Sequence, residues 1–171
     1  GIVNRMQMLF VMVVLGIAQG MQPIVGYNFG AGNIQRVRKS LKYGIAAGVS
    51  VTSFGCLCGL FIPELLVKMF TDDPQMIDKS VDALTISLLM FPVVGAQIVI
   101  TQYFQSIGKA VSAIFLSLSR QLLFFLPGLI FLPNFFGVKG VWFSMPISDF
   151  MAFVIATVLL VLQFKKIGKE N

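Results

Sequence analysis

Two charged side chains stand well inside otherwise apolar runs of this sequence, Arg120 within 111–131 and Asp149 within 140–164. A charge at the centre of a bilayer costs about 2.5–3.5 kcal/mol on insertion scales, so each must be hydrated, paired or carried to an interface. Arg120 lies about nine residues from the nearer end of its helix, or about 13 Å at ~1.5 Å per residue. It can snorkel to the interface or meet Asp149 near mid-membrane if the helices tilt. Asp149 lies about 11 residues, or about 16 Å, from the outer end of its own helix. Its side chain is too short to snorkel, so it pairs or serves a cavity or an ion.

Uncharged polar residues recur in the same runs at helical spacing. Gln19 and Gln22 share a face with Gly26. Gln97, Thr101 and Gln105 step by four. Ser117, Arg120 and Gln121 share a face, and Ser144 and Ser148 step by four beside Asp149. One such stripe is accounted for by interhelical hydrogen bonds, worth about 0.6 kcal/mol each in membrane bundles. Four stripes on four helices point to a partly hydrated cavity lined by Gln19, Gln22, Gln97, Thr101, Arg120, Gln121, Ser148 and Asp149. There is no histidine, and Cys56 and Cys58 are two apart and off a common helix face, so zinc-type sites and histidine relays are excluded. Gly30-Ala31-Gly32 lacks both the third glycine and the preceding strand of a dinucleotide fingerprint, and there is no Walker-type lysine motif. No catalytic set, metal site or cofactor is expected, and the chain does not read as an enzyme.

The elements that position these residues follow from composition. The 171 residues are 57% hydrophobic and only 12% charged, where soluble domains carry about 25% charge, and mean hydropathy is +0.88. A span needs roughly 20 apolar residues. The runs predict an all-α integral membrane protein with five transmembrane helices, about 6–30, 43–62, 82–105, 111–132 and 139–164, in one membrane domain over 1–171. The net charge of +6 is not a nucleic-acid footprint, because it is sorted by loop. Arg36, Arg38, Lys39, Lys42, Lys109, Lys165, Lys166 and Lys169 fall on one side of a weaving chain; Glu64, Asp72, Asp73, Asp78 and Asp82 fall on the other with Lys68, Lys79 and Lys139. By the positive-inside rule the basic side is cytoplasmic. Residues 32–42, 106–111 and 165–171 are then inside, 63–81 and 133–138 outside, and the C-terminus is cytoplasmic. An outside start with no initiator Met reads as part of a longer polypeptide.

Glycine and proline punctuate the spans. Gly16/Gly20, Gly26/Gly30, Gly44/Gly48 and Gly55/Gly59 are pairs at the close-approach spacing. Pro23, Pro92, Pro127 and Pro146 lie within predicted spans, where each removes a backbone hydrogen bond and bends its helix. Bent helices around a polar cavity are also the gating elements of transporters. TDDP in the outer loop is a helix-start signal, FQSIGKA a tight inner turn, and LPNFFG a helix end.

GMQPIVGYNFGAGN (residues 20–33) resembles the signature that ends the second helix of the C-terminal half of the multidrug and toxic compound extrusion (MATE) transporters. The basic RVRKSLK loop, the TDDP loop, the FP-bearing helix with FQSIGKA, SLSRQLLFFLPGLIFLP and GVWFSMPISD follow in the family's order. The resemblance covers nearly the whole chain and implies helices eight to twelve of a twelve-helix, two-lobe bundle. It implies a secondary antiporter of the cell (cytoplasmic) membrane that exports cationic or amphipathic drugs in exchange for sodium ions or protons. Its partners would be small cationic substrates, the lipid bilayer and the N-terminal lobe, with no nucleic acid. Gly16, Gly20, Pro23, Gly26 and Gly30 would let a pore-lining helix pack closely and bend, as would Pro92, Pro127 and Pro146 in later helices. Sodium-coupled members with a C-lobe cation site carry an acid midway along the tenth helix; the matching SLLMFPVVGAQIVITQ has none, and Asp82 precedes it. The coupling ion is therefore expected outside this segment. A lipid-linked precursor flippase of the same superfamily and a non-transporting membrane scaffold are the competing readings.

Overall fold

The structure, a computed structural model, describes residues 2–119, 122 and 126–170. Among these residues it is all-α, with no strand. The helices are α1 (Ile2–Gly30), α2 (Ile34–Phe61), α3 (Pro63–Lys68), α4 (Pro74–Ser87), α5 (Phe91–Ser106), α6 (Ala110–Leu118), α7 (Leu126–Phe136) and α8 (Val138–Glu170).

The corners are made by residues suited to them. After α1, Gly32 takes φ +76°, a left-handed conformation that costs glycine nothing. The Asn33 N–H then donates to the Asn28 carbonyl at 2.9 Å, and the Asn33 side chain caps α2 by accepting from the Arg36 N–H at 3.3 Å. The same device recurs after α5, where Gly108 has φ +81° and the Lys109 N–H reaches the Phe104 carbonyl at 2.9 Å. In the TDDP loop Asp73 caps α4, accepting from the Gln75 N–H at 3.0 Å, with Pro74 in the first turn where a missing N–H is harmless.

Three helices are long and apolar enough to cross a membrane: Asn4–Gly30, Ile34–Phe61 and Trp142–Gly168, or up to four if the α4–α5 pair is one crossing. The expected count of five spans is thus not reached among the described residues. Part of the reason is Pro92. Pro92 does not bend a continuous helix; it sits in the first turn of α5, after a break at which α4 and α5 turn by 56°. Pro127 is the second described residue of α7, and most of the stretch between α6 and α7 lies outside the described residues. Pro23 and Pro146 do lie inside continuous helices. Helix α2 begins at Ile34, ahead of the apolar run at 43, because its first turns carry the basic residues.

One core cluster joins Val25 of α1, Val37 and Leu41 of α2, Tyr103 and Phe104 of α5, Ala113 and Leu116 of α6 and Ala156 of α8. A second joins Met6, Cys56, Val67, Ile77, Leu84, Leu88 and Phe91. The basic segments lie beside the first and the acidic ones beside the second, so the two charge classes occupy opposite ends of the bundle. Large apolar side chains such as Met8, Met12, Phe54, Phe61, Val154 and Leu162 remain exposed, as a lipid-facing surface requires.

The glycines of α2 are used as contacts. A Cβ on Gly48 would lie 3.0 Å from Val99 and 3.1 Å from the Gly95 carbonyl, and one on Gly44 would lie 2.6 Å from the Met21 sulfur. Gly95 of α5 returns the approach, since a Cβ there would lie 2.6 Å from Thr52 Oγ1. Helix α1 differs. Gly16, Gly20 and Gly30 meet nothing within 4 Å, while a Cβ on Gly26 would sit 3.2 Å from the Ser106 carbonyl. Among the described residues, then, the close approach is seen at Gly26 and not at Gly16, Gly20 or Gly30. In the full-length protein, Gly95→Val is expected to destabilise by about 1–3 kcal/mol, the usual result of overpacking, whereas Gly16→Ala should leave thermal stability intact. Equal melting temperatures for Gly95→Val and wild type would contradict the close approach.

Candidate functional site

The polar stripe of α5 opens onto a cavity of about 270 Å³. Its lining comes from Gln97, Ile98, Thr101, Gln102 and Gln105 of α5, Leu15 of α1 and Ser117 of α6. At ~30 Å³ per molecule of liquid water there is room for several waters. The predicted spacing of Gln97, Thr101 and Gln105 thus places three amide or hydroxyl groups on one wall.

Gln97 is 4% exposed, and its carbonyl Oε1 is buried with no hydrogen-bond partner among the described residues. An unpaired buried acceptor costs about 1–3 kcal/mol, so this is where a donor gains most by arriving. The Thr101 hydroxyl donates back to the Gln97 main-chain carbonyl at 2.9 Å and keeps its lone pairs. One residue along, Gln102 Nε2 donates to Gln22 Oε1 at 2.7 Å and ties α5 to α1. Gly26, one turn further along α1, lets the two helices close against the Ser106 carbonyl.

The remaining expected residues are dispersed. Gln19 is exposed on α1. Ser148 and Asp149 are each 2% exposed within α8; both are partnered inside the bundle, and neither lines the cavity. Arg120 and Gln121 lie outside the described residues. Gln102 is the residue that sequence spacing misses. It falls one position off the stripe, and only its match to Gln22 across the helix interface marks it. A larger depression of about 680 Å³ opens at the acidic end among Phe61, Pro63, Glu64, Asp78 and Asp82, away from this stripe.

With the geometry in place, comparison with known proteins is decisive. The MatE family profile matches residues 1–131. The chain belongs to the MatE family. A solved structure of the MATE multidrug transporter DinF-BH is 39% identical, with a TM-score of 0.85 over 94% of this chain and 36% of its own. An inward-facing multidrug resistance MATE transporter superposes with a TM-score of 0.90 at 17% identity, covering 98% of this chain and 39% of that one. Multidrug export protein MepA of Staphylococcus haemolyticus is 22% identical over 139 residues, which is 81% of this chain and 30% of the relative. The FAD transporter of Shewanella oneidensis is 22% identical over 152 residues, 86% of this chain and 33% of the relative. The chain spans about a third of the length of these curated relatives. MatE proteins are multi-pass membrane transporters, in keeping with the three long apolar helices.

The Gln22–Gln102 bond is open to a double-mutant cycle in the full-length protein. Gln22→Leu and Gln102→Leu should show a coupling of about 0.6 kcal/mol in equilibrium unfolding, the average for membrane bundles. Strict additivity would mean that the two amides do not meet.

Proposed function

We propose that this MatE chain forms helices eight to twelve, in the C-terminal lobe of a secondary antiporter that exports cationic or amphipathic drugs in exchange for sodium ions or protons. On this reading the bent α4–α5 pair is one crossing and α6 with α7 another, giving five in all. The basic end is cytoplasmic, the C-terminus lies inside, and the membrane is the cell membrane. The coupling ion is held in the lobe outside this segment, because the α5 stretch is amide- and hydroxyl-bearing and has no carboxylate.

The observation that carries the reading is the α5 stripe of Gln97, Thr101 and Gln105 along its cavity, with the buried Gln97 side chain among its lining. Neutral acceptors suit an ammonium-type or delocalised cation, which they orient without holding it as tightly as a fixed carboxylate would. Alternating access around a site between two repeats is the usual working mode of such folds. The names of the MepA relatives and of the 39%-identical structure support a drug substrate.

Energised membrane vesicles containing the full-length protein test this with a cationic dye, under an imposed sodium or proton gradient. Gradient-driven dye transport is expected. Gln97→Leu should reduce it by about fivefold, equivalent to about 1 kcal/mol, with expression unchanged, and Asp149→Asn should impair it as well. Transport of FAD or of a lipid-linked precursor without dye transport would replace this reading with one of those substrates. No transport of any of the three would favour the scaffold.

A further inference from the structure

At the basic end, the first turns of α2 and the last turns of α8 enclose a groove of about 560 Å³. Arg38, Lys42 and Lys165 supply its charge, and among the described residues no acidic side chain lines it. Its walls continue along both helices toward the bundle centre as Leu41, Ile45, Leu160 and Val161. The groove is therefore cationic at one end and apolar at the other, over the length of a helical turn.

Two further facts bear on what fills it. The Arg38 guanidinium lies 4.9 Å from the centroid of the Phe164 ring, which is itself stacked on Tyr103 at 5.8 Å. The cation is thus fixed in place before any ligand arrives, and a pre-placed guanidinium matches phosphate geometry. The ion pair found among the described residues, Glu64–Lys68, lies at the opposite end of the bundle. Three clustered cations without carboxylate neighbours repel one another, and a ligand phosphate relieves that repulsion.

We propose that this groove binds an anionic phospholipid, with the phosphodiester held by Arg38, Lys42 and Lys165 and an acyl chain laid along Ile45, Leu160 and Val161. A soluble phosphate leaves the apolar half unfilled, and a zwitterionic lipid brings a fourth cation against the three already there. Basic pockets between transmembrane helices are a known physical solution for anionic headgroups. The site is separate from the polar cavity on α5, so it does not rest on which substrate the transporter carries.

The test uses the purified full-length protein in neutral detergent, with thermal unfolding followed as phosphatidylglycerol, phosphatidylcholine or glycerol phosphate is titrated in. Phosphatidylglycerol alone is expected to raise the melting temperature. The double variant Lys42→Gln/Lys165→Gln should weaken its apparent affinity by about 30-fold, from two basic groups that each contribute about fivefold. The variant Lys39→Gln/Lys166→Gln removes the same charge from neighbouring positions that do not line the groove, and should keep affinity within about threefold of wild type. Equal losses in both variants would overturn the proposal in favour of diffuse attraction. It would also fall if phosphatidylcholine or glycerol phosphate stabilised as well as phosphatidylglycerol, or if phosphatidylglycerol produced no shift because another segment of the protein covers the groove.

Discussion

Helices α2 and α5 meet where neither has a side chain. Gly48 and Gly95 bring the two backbones together, and the Thr52 hydroxyl lies 3.3 Å from the Pro92 carbonyl across the contact. In lipid there is little hydrophobic gain from helix association, so dispersion across such smooth faces and a few hydrogen bonds must hold the bundle. Everything else is arranged from this contact. It sets α5 centrally, against α2 on one face and α1 and α8 on others, and so fixes the direction in which the α5 stripe points. Phe10 reinforces the arrangement from α1, edge-on to Phe54 of α2 and Phe91 of α5 at 6.4 and 6.1 Å.

The proposed function follows from what that central helix carries. Most of its buried positions are apolar or glycine, and one sector bears Gln97, Thr101 and Gln105 along the cavity. The 56° turn ahead of α5 ends one helix and starts another within the bundle. A break of this kind gives the chain a point where one half can move against the other without unravelling either. Charge does a separate job. With basic residues at one end and acidic residues at the other, the bundle has a preferred orientation in a polarised membrane.

Much of this is legible in the sequence because lipid imposes simple rules. Charge-free runs mark the membrane class, Asp73 caps α4 as the TDDP signal predicts, and a spacing of four predicts the α5 wall. The failures share one cause: they concern contacts between helices. Gly16 and Gly20 have the spacing of a packing motif but meet nothing within 4 Å among the described residues, whereas Gly95 has no spaced partner in its own helix because its partner is Gly48 of α2. Gln102 is explained by Gln22, Arg38 by Phe164, and neither pair is near in sequence. In sequence alone, Pro92 reads as a kink within a span; whether a proline bends a helix or begins a new one depends on whether neighbouring helices can satisfy the freed backbone groups.

The central claim is that the α5 stripe faces water and substrate, not lipid or a dry core. The direct measurement is thiol accessibility in the full-length protein with Cys56, Cys58 and any other native cysteines replaced. Thr101→Cys and Gln105→Cys should react with a membrane-impermeant maleimide in opened membranes, and a transported cation should slow that reaction. Val158→Cys, on an exposed apolar face of α8, should stay unreactive. Thr101→Cys and Gln105→Cys that are as inert as Val158→Cys, with or without the cation, would contradict the account.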